Sequence, residues 1–415
     1  MTRSLSSLWL KNIRRLSKTQ QNQGRKLLKS LIPALVKPAK PARLPRALAV
    51  RRTKPAKLAR IAAPKKVQRP PGAQKSLRKR PAAAASQAAG SAGLPGSWQK
   101  AWFSQAATAL TPVRRMLYWL YLPSGTVTAP RPLVVMLHGC QQTATDFAAS
   151  TRMNRLAERK GFAVLYPQQS AAADSHRCWH WYKRATQQGV GEVRVIADMV
   201  AQLQSRHQLD ATRTYACGLS AGAGMAAILA LRHPELIAAA GLHSSPVFGT
   251  SDSALSGFKA MQQGSVLAYR DTARQFAAAE PGFPGMPVIL VHGRRDAVVR
   301  RVNVDQLAEQ FVIMNGDQIA SAKPVLRSYP ARVGGRSPRH AYEISTYYAG
   351  RKPRVVKCEI DALGHAWSGG DAGQAFSAPE GPDAALLMWT FFARQQRAQK
   401  VPEATKGEAN GGLPG

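Results

Sequence analysis

Ser220 sits at the centre of Gly218-Leu219-Ser220-Ala221-Gly222, and its flanks are those a reactive serine needs. Arg213 to Cys217 reads as a short strand, and Ala223 to Leu231 as an alanine-rich helix that stops near His233-Pro234. A serine on so sharp a strand-to-helix turn is held in a strained conformation with its hydroxyl presented outward. The two glycines let strand and helix pass closely, and the helix N-terminus favours developing negative charge. Such a hydroxyl needs a base. His365, in Gly364-His365-Ala366-Trp367-Ser368-Gly369-Gly370, follows a strand pattern and has glycines around it that free its loop. The base in turn needs an orienting carboxylate, and Asp296 follows the apolar run Val288 to Val291 and a polar turn. Asp305 reads as a helix-surface residue, and Asp361, four residues before His365, suits support of its own loop. The chemistry open to these side chains is nucleophilic acyl transfer. His365 takes the Ser220 proton during attack on an ester carbonyl and then protonates the leaving alcohol, while Asp296 stays ionised and holds the imidazole tautomer.

The tetrahedral intermediate needs N–H donors aimed at its oxygen. The amide of Ala221, directly after the serine, is one. Cys140, in Leu137-His138-Gly139-Cys140-Gln141-Gln142, offers the other, because Gly139 permits an unusual turn there. His138 suits a structural hydrogen bond that fixes this loop. Around these residues the chain alternates strands and helices from about residue 115. Leu133 to Leu137 is a continuous apolar run, as in a strand buried on both faces of a parallel sheet. A helix is expected over Asp146–Lys160, a strand over Phe162–Tyr166, and a helix over Gly191–His207 with Val193, Ile196, Ala197, Val200 and Leu203 on one face. Further strands are read at Leu236–Leu242, Pro287–Val291 and Val355–Ile360, with a closing helix over Ala384–Gln395. These repeats predict an α/β fold, a doubly wound and mostly parallel sheet with helices on both faces. The order Ser, Asp, His is that of an α/β-hydrolase. The site belongs at the carboxyl ends of the strands. The nine histidines and four cysteines lack ligand spacing and no Gly-rich phosphate loop is present, so no metal and no cofactor is expected.

Charge divides the chain. Residues 1–90 hold 24 Lys and Arg, nine prolines and no acidic residue, and the first carboxylate is Asp146. A segment that repels itself and has little to bury is expected to be mostly disordered. The reading is therefore a basic extension over 1–93, a catalytic domain over 94–398 and a flexible tail over 399–415. Residues 1–90 could adhere to an anionic surface, a granule or a membrane, with part of 5–32 as a basic amphipathic helix. Nothing points to specific nucleic-acid recognition. No signal peptide and no transmembrane run of roughly 18 apolar residues is visible, so a cytoplasmic location is expected, with an extracellular one as the alternative.

Taken together, Val135 to Cys140, Thr151-Arg152-Met153-Asn154, Tyr166-Pro167-Gln168-Gln169, Cys178-Trp179-His180-Trp181-Tyr182, the Ser220 and His365 motifs and Gly381-Pro382-Asp383-Ala384 resemble poly(3-hydroxybutyrate) depolymerase family esterases. That group is also similar to feruloyl and acetyl-xylan esterases, and the resemblance runs from roughly Tyr118 to Ala393. It implies a serine esterase whose nucleophile, acid and base fall on Ser220, Asp296 and His365, acting on short-chain hydroxyalkanoate esters or oligomers. Feruloyl or acetyl-xylan esterase-like activity is the alternative, and a non-catalytic granule- or membrane-binding protein is a third reading. Trp367, Trp179 and Trp181 are expected either as core packing or as an apolar wall for the substrate. Spacing does not choose among the three complete pairings of Cys140, Cys178, Cys217 and Cys358. Resemblance to secreted relatives suggests a Cys178–Cys358 disulfide, and a reducing compartment would leave all four as thiols.

Overall fold

A computed structural model describes residues 93–107, 113–265, 268–335 and 338–398. The expectations for residues 1–92 and 399–415, including the basic extension and the flexible tail, lie outside them.

In chain order the elements are β1 (Ser97–Gln105), β2 (Arg114–Leu122), β3 (Arg131–Leu137), α1 (Ala144–Thr151), α2 (Met153–Lys160), β4 (Ala163–Gln168), α3 (Arg184–Gln187), α4 (Glu192–Arg206), β5 (Leu209–Leu219), α5 (Ala221–Arg232) and β6 (Ala239–His243). They continue with α6 (Ala254–Gln263), α7 (Tyr269–Ala279), β7 (Val288–Gly293), α8 (Val302–Met314), α9 (Asp317–Ala320), β8 (Val325–Tyr329), β9 (Tyr342–Ala349), β10 (Lys352–Ile360), β11 (Trp367–Ser368), β12 (Ser377–Ala378) and α10 (Ala384–Phe392). Ten strands form one sheet in the order β1-β2-β4-β3-β5-β6-β7-β10-β9-β8. Its six central strands, β4 to β10, run parallel. The flanking strands on either side pair antiparallel.

Both faces are covered, as a parallel centre requires. One apolar layer joins α4, α5 and α8 to the sheet through residues such as Val200, Met225 and Phe311. The other joins α1, α2 and α10 through Phe147, Leu156, Met388 and Phe392. Every residue of β3 from Leu133 to Leu137 is buried, which is why that run reads as uninterrupted hydrophobicity.

The outer strands are mixed in burial, and β8 is mostly exposed. β1, β8 and β9 carry no long apolar run, and sequence patterning passed over them; it also passed over β2, whose run from Met116 to Leu122 is apolar and mostly buried. The helix expected over 146–160 is two helices. Arg152 adopts φ 53° between them, and this break sends its guanidinium to the carbonyls of Gly369 and Gly370. A continuous helix would point that side chain elsewhere. The elbow strand is longer than expected, and α6 and α7 were not foreseen, while α8 is the helix on which Asp305 was read.

Candidate active site

Each functional loop leaves the carboxyl end of a parallel strand, the edge where open α/β sheets place ligands. In the register of β3 and β5, Leu137 lies opposite Gly218. Cys140, in the loop after β3, and Ala221, the first residue of α5, each follow three residues later.

Ser220 has φ 58° and ψ −120°, a conformation that costs a non-glycine residue energy and persists only where the surroundings impose it. Its N–H donates to the carbonyl of His243 at 2.9 Å, and its own carbonyl accepts from Gly224 at 3.0 Å. The turn is possible only because β3 and α5 nearly touch. A Cβ at position 222 would lie 2.0 Å from the carbonyl oxygen of Leu137. Gly222→Ala is therefore expected to destabilise the fold by more than about 4 kcal/mol, beyond the common range for point substitutions. Urea denaturation checks this, and a midpoint close to wild type would refute the crowding argument.

His365 and Asp296 meet across the edge: imidazole Nδ1 lies 2.8 Å from Oδ2 of the carboxylate. The carboxylate is buried, and its Oδ1 accepts the N–H groups of Val298 and Val299, each at 2.9 Å. Burial alone would push this carboxyl up. The adjacent His365, through its charge and hydrogen bond, together with the Val299 amide, outweighs burial and holds it below the usual carboxylate range. His292 is the other neighbour, 4.0 Å from Oδ2. Burial pushes its pKa down, and it donates through Nε2 to the carbonyl of Val299. The loop carrying Asp296 is fixed from outside by ion pairs. Arg294 binds Asp361 at 2.8 Å, and Arg301 binds the buried Glu359, which also lies 3.0 Å from Lys357. Asp305 lies on α8, paired to Lys357.

Around the loop after β3, the amide of Gly139 donates to Oε1 of Gln142, that of Gln141 to the carbonyl of His176, and that of Gln142 to the carbonyl of Gly139. Among the described residues, the amides of Cys140 and Ala221 donate to no protein acceptor. His138 is fully buried and pushed down to about 4 by that burial. Its Nε2 accepts the Gln169 N–H at 3.1 Å, so the ring is neutral with Nδ1–H directed at the carbonyl of Gly139, 2.9 Å away. It shapes the loop and has no capacity left to act as a base.

Sequence reasoning missed His243. Besides holding the Ser220 amide through its carbonyl, it accepts the Ser368 N–H on Nε2 at 3.2 Å and stacks on Trp367. The serine turn and the histidine loop are thus anchored to one residue, which burial keeps neutral by lowering its pKa to about 3. Its place at the end of a buried strand was the one available signal. Glu192 was also missed. It binds Gln169, the His180 amide and the His180 ring, and so holds the 178–182 loop.

One expectation is corrected. The disulfide joins Cys140 to Cys178, not Cys178 to Cys358, while Cys217 and Cys358 are buried thiols. Cys358 lies in β10, paired with β7 and β9, and several strands separate it from the β3 and β4 loops that bring Cys140 and Cys178 together. Of the two readings of Trp179, Trp181 and Trp367, burial favours core packing, since they are 0%, 5% and 0% exposed. Trp179 donates to the carbonyl of His138 at 3.1 Å, Trp181 packs where Gly224 leaves room, and Trp367 lies between His243 and Phe147. They brace the loops.

A mostly parallel sheet covered by helices on both faces, with a serine turn after its central strand and a carboxylate–imidazole pair at the same edge, defines an α/β-hydrolase. Residues 116–327 match the family described as Esterase PHB depolymerase, and the chain belongs to it. It is 33% identical over 218 residues to poly(3-hydroxyalkanoate) depolymerase C of Paucimonas lemoignei, covering 51% of this chain and 52% of that protein. It is 30% identical over 204 residues to a probable acetylxylan esterase A of Aspergillus fumigatus, covering 47% of this chain and 54% of that one. The chain thus spans about half the length of these curated relatives. The acetyl xylan esterase structure from Aspergillus awamori shares the fold, with a TM-score of 0.54 at 22% identity over 67% of this chain and 94% of that one.

Proposed function

We propose that this chain is a carboxylic ester hydrolase that works through an acyl-enzyme on Ser220 and takes short-chain hydroxyalkanoate esters or oligomers. The observation that carries the reading is the His365–Asp296 hydrogen bond. With Nδ1–H held by a buried carboxylate, the unprotonated Nε2 is left as the base for the serine hydroxyl. Attack forms a tetrahedral oxyanion, which the amides of Cys140 and Ala221 are free to receive. Protonated His365 then gives its proton to the leaving alcohol. Water, activated by the same imidazole, attacks the acyl-enzyme and regenerates Ser220. Asp296 stays ionised throughout.

The choice of acyl group rests on the relatives. One is named for poly(3-hydroxyalkanoate) and others for acetylxylan, so acetyl-xylan or feruloyl esterase activity is the second reading. Hydroxybutyrate oligomers, acetylated xylo-oligosaccharides and feruloylated sugars, assayed in parallel, discriminate the two. The expectation is that the oligomers are preferred by at least about tenfold in kcat/KM, a ratio within reach of pocket contacts. Faster cleavage of the acetylated or feruloylated sugars would establish the second reading. No turnover of any ester would leave only a binding protein, whose proposed anionic-surface segment, residues 1–90, lies outside the described residues. Among the described residues no helix is long and apolar enough to cross a membrane. The Cys140–Cys178 bridge belongs with oxidising compartments and pulls against the cytoplasmic expectation.

A further inference from the structure

A cleft of about 880 Å³ opens between α2, α10 and the β8–β9 edge of the sheet, and neither Ser220, Asp296 nor His365 lines it. Seven arginines are among the residues that line it. Arg152, Arg155 and Arg159 project from one side, while Arg327, Arg332 and Arg339 stand on β8 and the segment leading to β9. Arg394 closes the end beyond α10. Arg155 and Arg159, four residues apart, share one face of α2, and Arg152 stands at the break before it. The opposite wall is held in place by the backbone: Arg332 and Arg339 exchange both amide hydrogen bonds, at 3.0 and 3.1 Å. Between the walls lie Tyr329 and Tyr342, stacked with centroids 4.5 Å apart.

Among the described lining residues the one carboxylate is Asp383, and its Oδ1 already accepts the Leu386 amide to cap α10. Arg152 has its Nη2 committed to the Gly369 and Gly370 carbonyls, which steadies its charge at the rim without cancelling it. Arg339 lies over the Tyr342 ring with its Nε buried and without a hydrogen-bond partner. A buried donor left unpaired is costly and calls for an acceptor. Guanidinium groups converging from two walls match an anion that carries several charges in a short length, and arginine recognises phosphate oxygens through two parallel N–H bonds.

We propose that this cleft is a binding site for linked phosphates, the chemistry shared by an inorganic oligophosphate and the phosphate chain of a nucleotide. It goes beyond the hydrolase reading and does not depend on it. The test uses the full chain and thermal unfolding at 150 mM salt. Anions held equally by folded and unfolded chains move no Tm, so only folded-state sites are read. Sodium tripolyphosphate and ATP are each titrated, with orthophosphate and citrate at matched ionic strength as comparisons. At saturation, tripolyphosphate is expected to raise Tm by about 4 °C and orthophosphate by less than about 1 °C. A further rise with ATP identifies a nucleotide as the source, and an equal or smaller one an inorganic chain. Combined Arg155→Gln and Arg327→Gln substitution, both at exposed positions, is expected to remove at least half of the shift. Arg270→Gln with Arg274→Gln removes equal charge from α7 and is expected to leave it intact. The proposal is overturned by no shift, by an equal shift with citrate or orthophosphate, by a response to ATP alone, or by equal loss in both paired variants. If the groove pair lowers the resting Tm, Arg394→Gln alone must still weaken the response.

Discussion

Ser220→Ala is expected to lower kcat/KM for p-nitrophenyl butyrate by about 10⁴- to 10⁶-fold, the scale seen when an acyl-transfer enzyme loses its nucleophile. The residue contributes almost nothing to packing that alanine cannot supply, and the turn is held by backbone hydrogen bonds that remain: the 220 amide to the His243 carbonyl and the Gly224 amide to the 220 carbonyl. Circular dichroism and Tm should stay near wild type. The 220 side chain can be followed separately with a fluorophosphonate, which adds its mass to the wild-type chain and not to the variant. His365→Ala should lose comparable turnover, because without the imidazole no group at this edge removes the serine proton. Turnover surviving Ser220→Ala, or labelling at another residue, would sink the acyl-enzyme mechanism.

The second large effect concerns acid. His138 and His243 are fully buried, and burial lowers their pKa values to about 4 and about 3 from 6.5. An unfolded chain binds protons at these residues as pH falls through 6.5, whereas the folded chain does not. The stability tied to their neutral forms is therefore fully present above pH 6.5 and is lost progressively on the way down to their folded values. Each pKa unit is worth about 1.4 kcal/mol. The two shifts together amount to several kcal/mol, a large part of the 5–15 kcal/mol of a typical domain. His292 shifts in the same direction. The urea midpoint is expected to fall steadily between pH 6.5 and 4, before most carboxylates titrate. A midpoint unchanged from pH 7.5 to 4.5 would contradict it. His243→Gln should flatten the slope at some cost in stability at pH 7.5, since the anchor to the Ser368 amide is altered.

The same histidines show where patterning stops. Ser220 and His365 were legible because glycines, a strand and a helix surround them within a dozen residues, and Asp296 because it follows an apolar run in the right order. The continuous runs of β3 and β7 revealed a parallel centre, since strands buried on both faces have little room for polar residues. β1 and β8 escaped because their residues are largely exposed and form no such run, whereas β2 carries one from Met116 to Leu122 and was overlooked. The helix expected across Arg152 was a failure of another kind. At the break Arg152 bonds carbonyls more than two hundred residues away, a contact no local pattern shows.

The chain's own pattern was enough to determine the class of fold, the order of the candidate triad residues and the need for glycine at 222, because these depend on local spacing and on what a buried strand tolerates. Tertiary structure alone decided that Cys140 pairs with Cys178, that the three tryptophans brace loops, that His243 joins the serine turn to the histidine loop, and that arginines from α2 and the β8–β9 edge face one another across a cleft. Those are contacts between strands and helices distant in sequence, made by the order in which the sheet is assembled, and no local propensity encodes them.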